Sequence, residues 1–144
     1  MRTIKGKVFA VLGMIALAGA AVWAEPSRTP TNRQLEQKVR KQLVTLPYYG
    51  VFDNLAFQVN GGTVTLYGQV VRPTTKSDAE HRVAHLTGVN RVVNNIEVLP
   101  LSPFDDQLRR QTYRAIFSTP GLSRYAMGAN PSIHIVVDGG HVTL

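Results

Sequence analysis

His81 and His85 stand four residues apart, a spacing that puts two imidazoles on one face of a helix and could hold a transition metal. A zinc site normally takes three or four protein ligands, and no third is evident here. The pair is therefore expected to lie on a solvated helix face opposite Ala79, Val83 and Leu86, with no metal and no other cofactor. Asp105 and Asp106 are adjacent at a helix start, where carboxylates favour the helix dipole. They do not form an acid/base pair by themselves. Gly-x-Ser-x-Gly, the phosphate loop, the dinucleotide fingerprint and His-Glu-x-x-His are all missing. The expectation is a protein that is not an enzyme and has no small-molecule substrate. Arg109, Arg110 and Arg114 are placed on the outer side of their helix as ordinary solvated charge, with weak contact to an acidic surface as the alternative.

Pro47-Tyr48-Tyr49-Gly50-Val51-Phe52 is an aromatic loop leaving a helix. Tyrosine has an apolar ring and a polar tip, which suits a membrane–water interface or a protein contact. Lys38 and Lys41 would add attraction to anionic head groups, about 1 kcal/mol each near such a surface. Tyr125 occupies a similar apolar loop beside Arg124. Tyr48, Tyr49, Phe52, Lys38, Lys41 and Tyr125 are thus the candidate contact residues. If the loop is a contact, Tyr49→Ser weakens binding without unfolding. In the other reading, Tyr48 and Phe52 simply cap the core of a small domain.

These groups need elements to hold them, and the first segment must be set aside before those are read. Arg2, Lys5 and Lys7 precede an uncharged apolar stretch, Val8 to Ala21, and Val22-Trp23-Ala24 fits a signal-peptidase site. Residues 1–24 read as a signal peptide cleaved after Ala24. The apolar run from Val8 to Ala24, 17 residues, is short for a bilayer span of about 20. Of 16 Lys+Arg and 9 Asp+Glu, the signal holds 3 basic and no acidic groups, leaving 13 against 9, a net +4. That mild excess, with export, argues against nucleic acid as a partner. The chain has no cysteine, so it folds without disulfides and has no thiol chemistry.

Residues 25–30 form a polar linker, and a repeat follows. Phe57–Leu66 aligns with Ile135–Leu144 at an offset of 78 residues, and Gln34-Leu35 aligns with Gln107-Leu108 at an offset of 73. Thr31-x-x-Gln34 is a capping box. Leu35, Val39, Leu43 and Leu46 share a helical face that ends at Pro47. Leu55, Phe57 and Val59 alternate as a half-buried strand. Asn60-Gly61-Gly62 makes a tight turn. Val64, Leu66, Gly68 and Val70 form the inner side of the return strand. Ser77-x-x-Glu80 is read as the start of a second helix, Gly88 as its terminator, and Val92, Ile96 and Val98 as a third strand. The order is helix–strand–strand–helix–strand over residues 31–100. In residues 101–144, Ser102-Pro103 opens another helix with Phe104, Leu108, Thr112, Ala115 and Ile116 inward. Ile133, Ile135 and Val137 form a strand, and Val142 and Leu144 begin its return.

The run Asn60–Val70, followed by Gly88-Val89-Asn90-Arg91-Val92-Val93-Asn94-Asn95-Ile96-Glu97-Val98, resembles the BON domain. The extra hairpin glycine is a small departure. The resemblance implies an α+β fold of two BON-like modules, residues 31–100 and an incomplete 101–144 truncated after the start of its second strand. By repeat logic the natural chain is expected to continue for about one helix and strand more. Gly61, Gly68, Gly88 and Gly139 become structural glycines. The resemblance also implies a periplasmic protein that contacts phospholipid surfaces or envelope proteins and supports envelope integrity or stress tolerance. Self-association within an envelope assembly is the alternative.

Overall fold

The computed structural model describes residues 31–128 and 130–144. The expected signal peptide, its cleavage after Ala24 and the 25–30 linker lie outside them. Helix α1 spans Asn32–Val44. Its start is fixed by the capping box, in which the Thr31 N–H donates to Gln34 Oε1 at 3.1 Å. Leu35, Val39, Leu43 and Leu46 are buried, while Arg33, Lys38, Arg40 and Lys41 stay in water.

Strand β1 (Asn54–Asn60) pairs antiparallel with β2 (Thr63–Val70). Both glycines of the joining turn have positive φ, +54° at Gly61 and +86° at Gly62. A two-residue turn of this hand matches the twist of the flanking strands. Helix α2 (Pro73–Ala84) then carries the chain across to β3 (Arg91–Val98), which pairs parallel with β2. Such a parallel pairing needs a crossover of this kind. The sheet order is β1-β2-β3. The core is one contiguous cluster in which Leu35, Val39 and Leu43 of α1 and Ala79 and Val83 of α2 meet Val64, Leu66, Val70 and Ile96. Each large apolar side chain buried there contributes about 1.5–3 kcal/mol. The opposite face of β2 carries Thr63, Thr65, Tyr67 and Gln69.

Two residues fasten this unit. Gly68 sits at φ +115°, and a Cβ built there would lie 2.0 Å from the Asn54 carbonyl oxygen. Asn94 Nδ2 donates to Lys76 O at 3.1 Å and to Glu80 Oε2 at 3.0 Å, tying β3 to α2. Helix α2 begins four residues before the expected Ser77. Pro73 occupies its first turn, where the missing N–H costs nothing. Ser77 Oγ instead donates to Thr74 O at 3.0 Å within the helix.

Helix α3 spans Pro103–Phe117, and Ser102 Oγ accepts from the Asp105 N–H at 3.2 Å. The hairpin of β4 (Val136–Asp138) and β5 (His141–Thr143) follows. The buried face of α3 is not the expected one. Asp105 and Arg109 are buried, at 2% and 3% exposure, whereas Phe104 is 66% exposed. Both Asp105 oxygens accept hairpin amides, from Gly139 N at 3.2 Å and Gly140 N at 2.8 Å. Arg109 donates to Val137 O and to Asp106 Oδ1, both at 2.6 Å. An arginine expected in water therefore holds the hairpin, because the open carbonyl of β4 gives its guanidinium a buried acceptor. Val142 and Leu144 are exposed, although their repeat partners Val64 and Leu66 are fully buried.

Candidate functional site

The aromatic loop 47–53 lies between the two segments, and the structure sends its rings in three directions. Tyr48 points outward, 66% exposed. It adopts φ +65°, and the Arg72 guanidinium lies 4.7 Å from its ring centroid. A non-glycine residue in this left-handed region is uncommon. Tyr49 turns the other way. It is half-buried against the core and stacks on His134 with ring centroids 5.6 Å apart. Burial raises its hydroxyl pKa, opposed by a hydrogen bond with the Leu55 backbone. Tyr49→Ser would therefore disturb packing, so it is not a clean test of surface contact.

Phe52 faces α3. Its ring meets Tyr113 edge-on at 6.2 Å, and Tyr113 in turn lies 4.8 Å from Phe117. Val51, Phe52, Arg110, Tyr113 and Arg114 line an open groove of about 460 Å³. Arg110 and Arg114 are exposed and make no ion pair among the described residues. The groove thus offers an apolar aromatic wall beside two exposed guanidinium groups. That combination suits an amphipathic anion, since arginine matches phosphate and carboxylate oxygens in fork geometry.

The walls are held by a buried carboxylate and by cross-links between segments. Asp53 is 4% exposed and accepts from Gly50 N at 3.0 Å and Val71 N at 2.8 Å, which shapes the loop. The Ile135 N–H donates to Val51 O at 2.7 Å, and Asn130 Nδ2 donates to Val44 O at 2.9 Å. Burial raises the Asp53 pKa, against the pull of its two amide partners, Arg72 and His134. A carboxyl whose folded pKa is raised holds more protons folded than unfolded, so its contribution to stability falls as pH rises through that range. The expected result is that acidification from pH 7 toward about 4 widens the stability gap between the wild-type protein and Asp53→Asn, in the wild type's favour. Urea melts at both pH values would read it.

The other sequence candidates are dispersed. Lys38 and Lys41 are exposed along α1, and Tyr125 is half-buried in a short 3-10 helix, Ser123–Ala126. The Arg124 guanidinium lies 4.9 Å from its ring centroid, and Nη2 donates to its hydroxyl at 3.1 Å. His81 and His85 are exposed at the end of α2. No cluster of three or more metal-ligating side chains occurs among the described residues. None of their helices is long and apolar enough to cross a membrane. Sequence reasoning missed Tyr113 and Phe117. They lie one helical turn apart, which is the signal that could have found them.

The first segment is a two-layer α+β module, two helices over a three-stranded mixed sheet. Residues 31–100 match the BON domain family. No match was found among curated proteins. Among solved structures, the chain is similar to the C-terminal domain of CdsD, described as the structural protein of the type III secretion system of Chlamydia trachomatis. The identity is 18% and the TM-score 0.36, over 65% of this chain and 42% of that one.

Proposed function

We propose that this is an exported, non-enzymatic envelope protein that meets anionic phospholipid surfaces through the groove of Val51, Phe52, Arg110, Tyr113 and Arg114. The basic n-region, apolar stretch and Ala24 site support export to the periplasm, with a role in envelope integrity or stress tolerance. The observation that carries the contact is the placement of two exposed arginines beside Phe52 and Tyr113 in one open groove. Aromatic rings favour the membrane interface, and each basic group near an anionic surface adds about 1 kcal/mol.

A second reading, a protein-contact or oligomerisation module, has its own support. Leu101, Phe104 and Met127 are exposed at 93%, 66% and 76%. Large apolar side chains left in water are common features of protein interfaces.

Co-sedimentation with anionic and zwitterionic vesicles separates the two. The protein is expected to pellet with anionic vesicles alone, less at physiological than at low salt. Replacing Arg110 and Arg114 together by Gln should weaken binding about thirtyfold, at about 1 kcal/mol for each charge. Phe52→Ser should weaken it as well. No binding to any vesicle, with self-association rising with concentration, would replace the lipid reading by the protein one.

A further inference from the structure

Helix α2 carries a second concentration of chemistry-bearing side chains, remote in sequence from the groove. His81 and His85 are both exposed, with ring centroids 4.4 Å apart. His85 Nδ1 lies 2.7 Å from the His81 carbonyl oxygen. A carbonyl only accepts, so Nδ1 is the protonated nitrogen and Nε2 keeps its lone pair. Metal-bound imidazoles use this arrangement, with the second ring N–H held by a carbonyl.

We propose that His81 and His85 form a surface site for a divalent transition ion of the copper class. A zinc cage needs three or four protein ligands. A tetragonal ion can take two imidazoles and fill its open positions with water, and Cu(II) stands highest in affinity among the first-row divalent ions. The pair also lies at the C-terminal end of α2, where His85 is the cap residue. Unsatisfied carbonyls and the negative end of the helix dipole favour a cation there. The neighbouring positive charge is directed elsewhere, because Arg82 Nη1 donates to Thr45 O at the end of α1, at 3.2 Å. The bound ion bridges residues one turn apart and so staples the last turn of the helix.

The test is titration of the untagged protein with Cu(II) in a non-coordinating buffer, read by calorimetry, electron paramagnetic resonance and thermal melting. One ion per chain with two nitrogen donors is expected, and Zn(II) should bind more weakly. Bound copper should raise the melting temperature by mass action. His81→Gln and His85→Gln should each weaken copper binding about tenfold or more, because the second imidazole acts at high effective concentration. Both side chains are exposed, so circular dichroism should show either variant folded. Copper affinity unchanged in the double variant, or lost instead in His134→Gln, would overturn the assignment. So would a wild-type protein that takes up no copper.

Discussion

Gly68→Ala is expected to destabilise the first unit by about 3 kcal/mol or more. Two costs combine. The backbone at φ +115° is one that a residue with a Cβ rarely adopts. The new carbon would also meet the Asn54 carbonyl oxygen at 2.0 Å, a backbone atom that cannot swing aside. Relief requires β1 to part from β2 where Leu55 pairs with Gly68. For a domain of this size the loss corresponds to roughly 12 °C or more in melting temperature. Ala at Gly61 is the control. It shares the positive φ, but nothing lies within 4 Å of the position its Cβ would take, so its cost should be strain alone, about 1 kcal/mol. Equal losses at both positions would show that the clash at Gly68 is relieved by relaxation.

Asp105→Ala is expected to release the β4–β5 hairpin while leaving the first unit folded. The carboxylate accepts two hairpin amides, and hydrogen bonds to a charged group contribute about 1.5–3 kcal/mol each. The hairpin strands have three residues each, too few to persist alone. Water can replace part of the loss at Gly139, which is exposed, so the net effect should be about 2–4 kcal/mol. Amide exchange is the measurement. Gly139 and Gly140 should exchange faster, with Leu66 unchanged. Uniform acceleration would mean that the two segments unfold as one.

The first unit was largely legible because its instructions are local. Thr31 and Gln34 cap α1, alternating Leu55, Phe57 and Val59 define β1, and the paired glycines set the turn. The start of α2 was misplaced because Ser77 and Glu80 imitate a capping box, whereas Pro73 carries the boundary. Residues 101–144 were harder. The repeat aligns Arg109 with Glu36, which is exposed, and a charged residue reads as solvent-facing. Only the position of the Val137 carbonyl makes a buried arginine tolerable. The groove could not be read either, since Phe52 and Tyr113 are 61 residues apart and no periodicity joins them.

The two hairpin turns share their φ angles closely, +54° and +86° at Gly61 and Gly62 and +54° and +82° at Gly139 and Gly140. Twin turns flanked by similar strands pose a folding hazard, because β1 could pair with β5 rather than with β2. Chain statistics work against the exchange. The native hairpin closes a loop of two residues, while β1 with β5 would close one of 80, about five doublings, or about 3 kcal/mol of extra closure entropy. A hairpin also forms in about 1–10 μs, before distant strands have searched for one another. The tightness of each turn therefore protects the chain from its own duplicate, and lengthening either loop with flexible residues would raise the yield of cross-paired, aggregation-prone species.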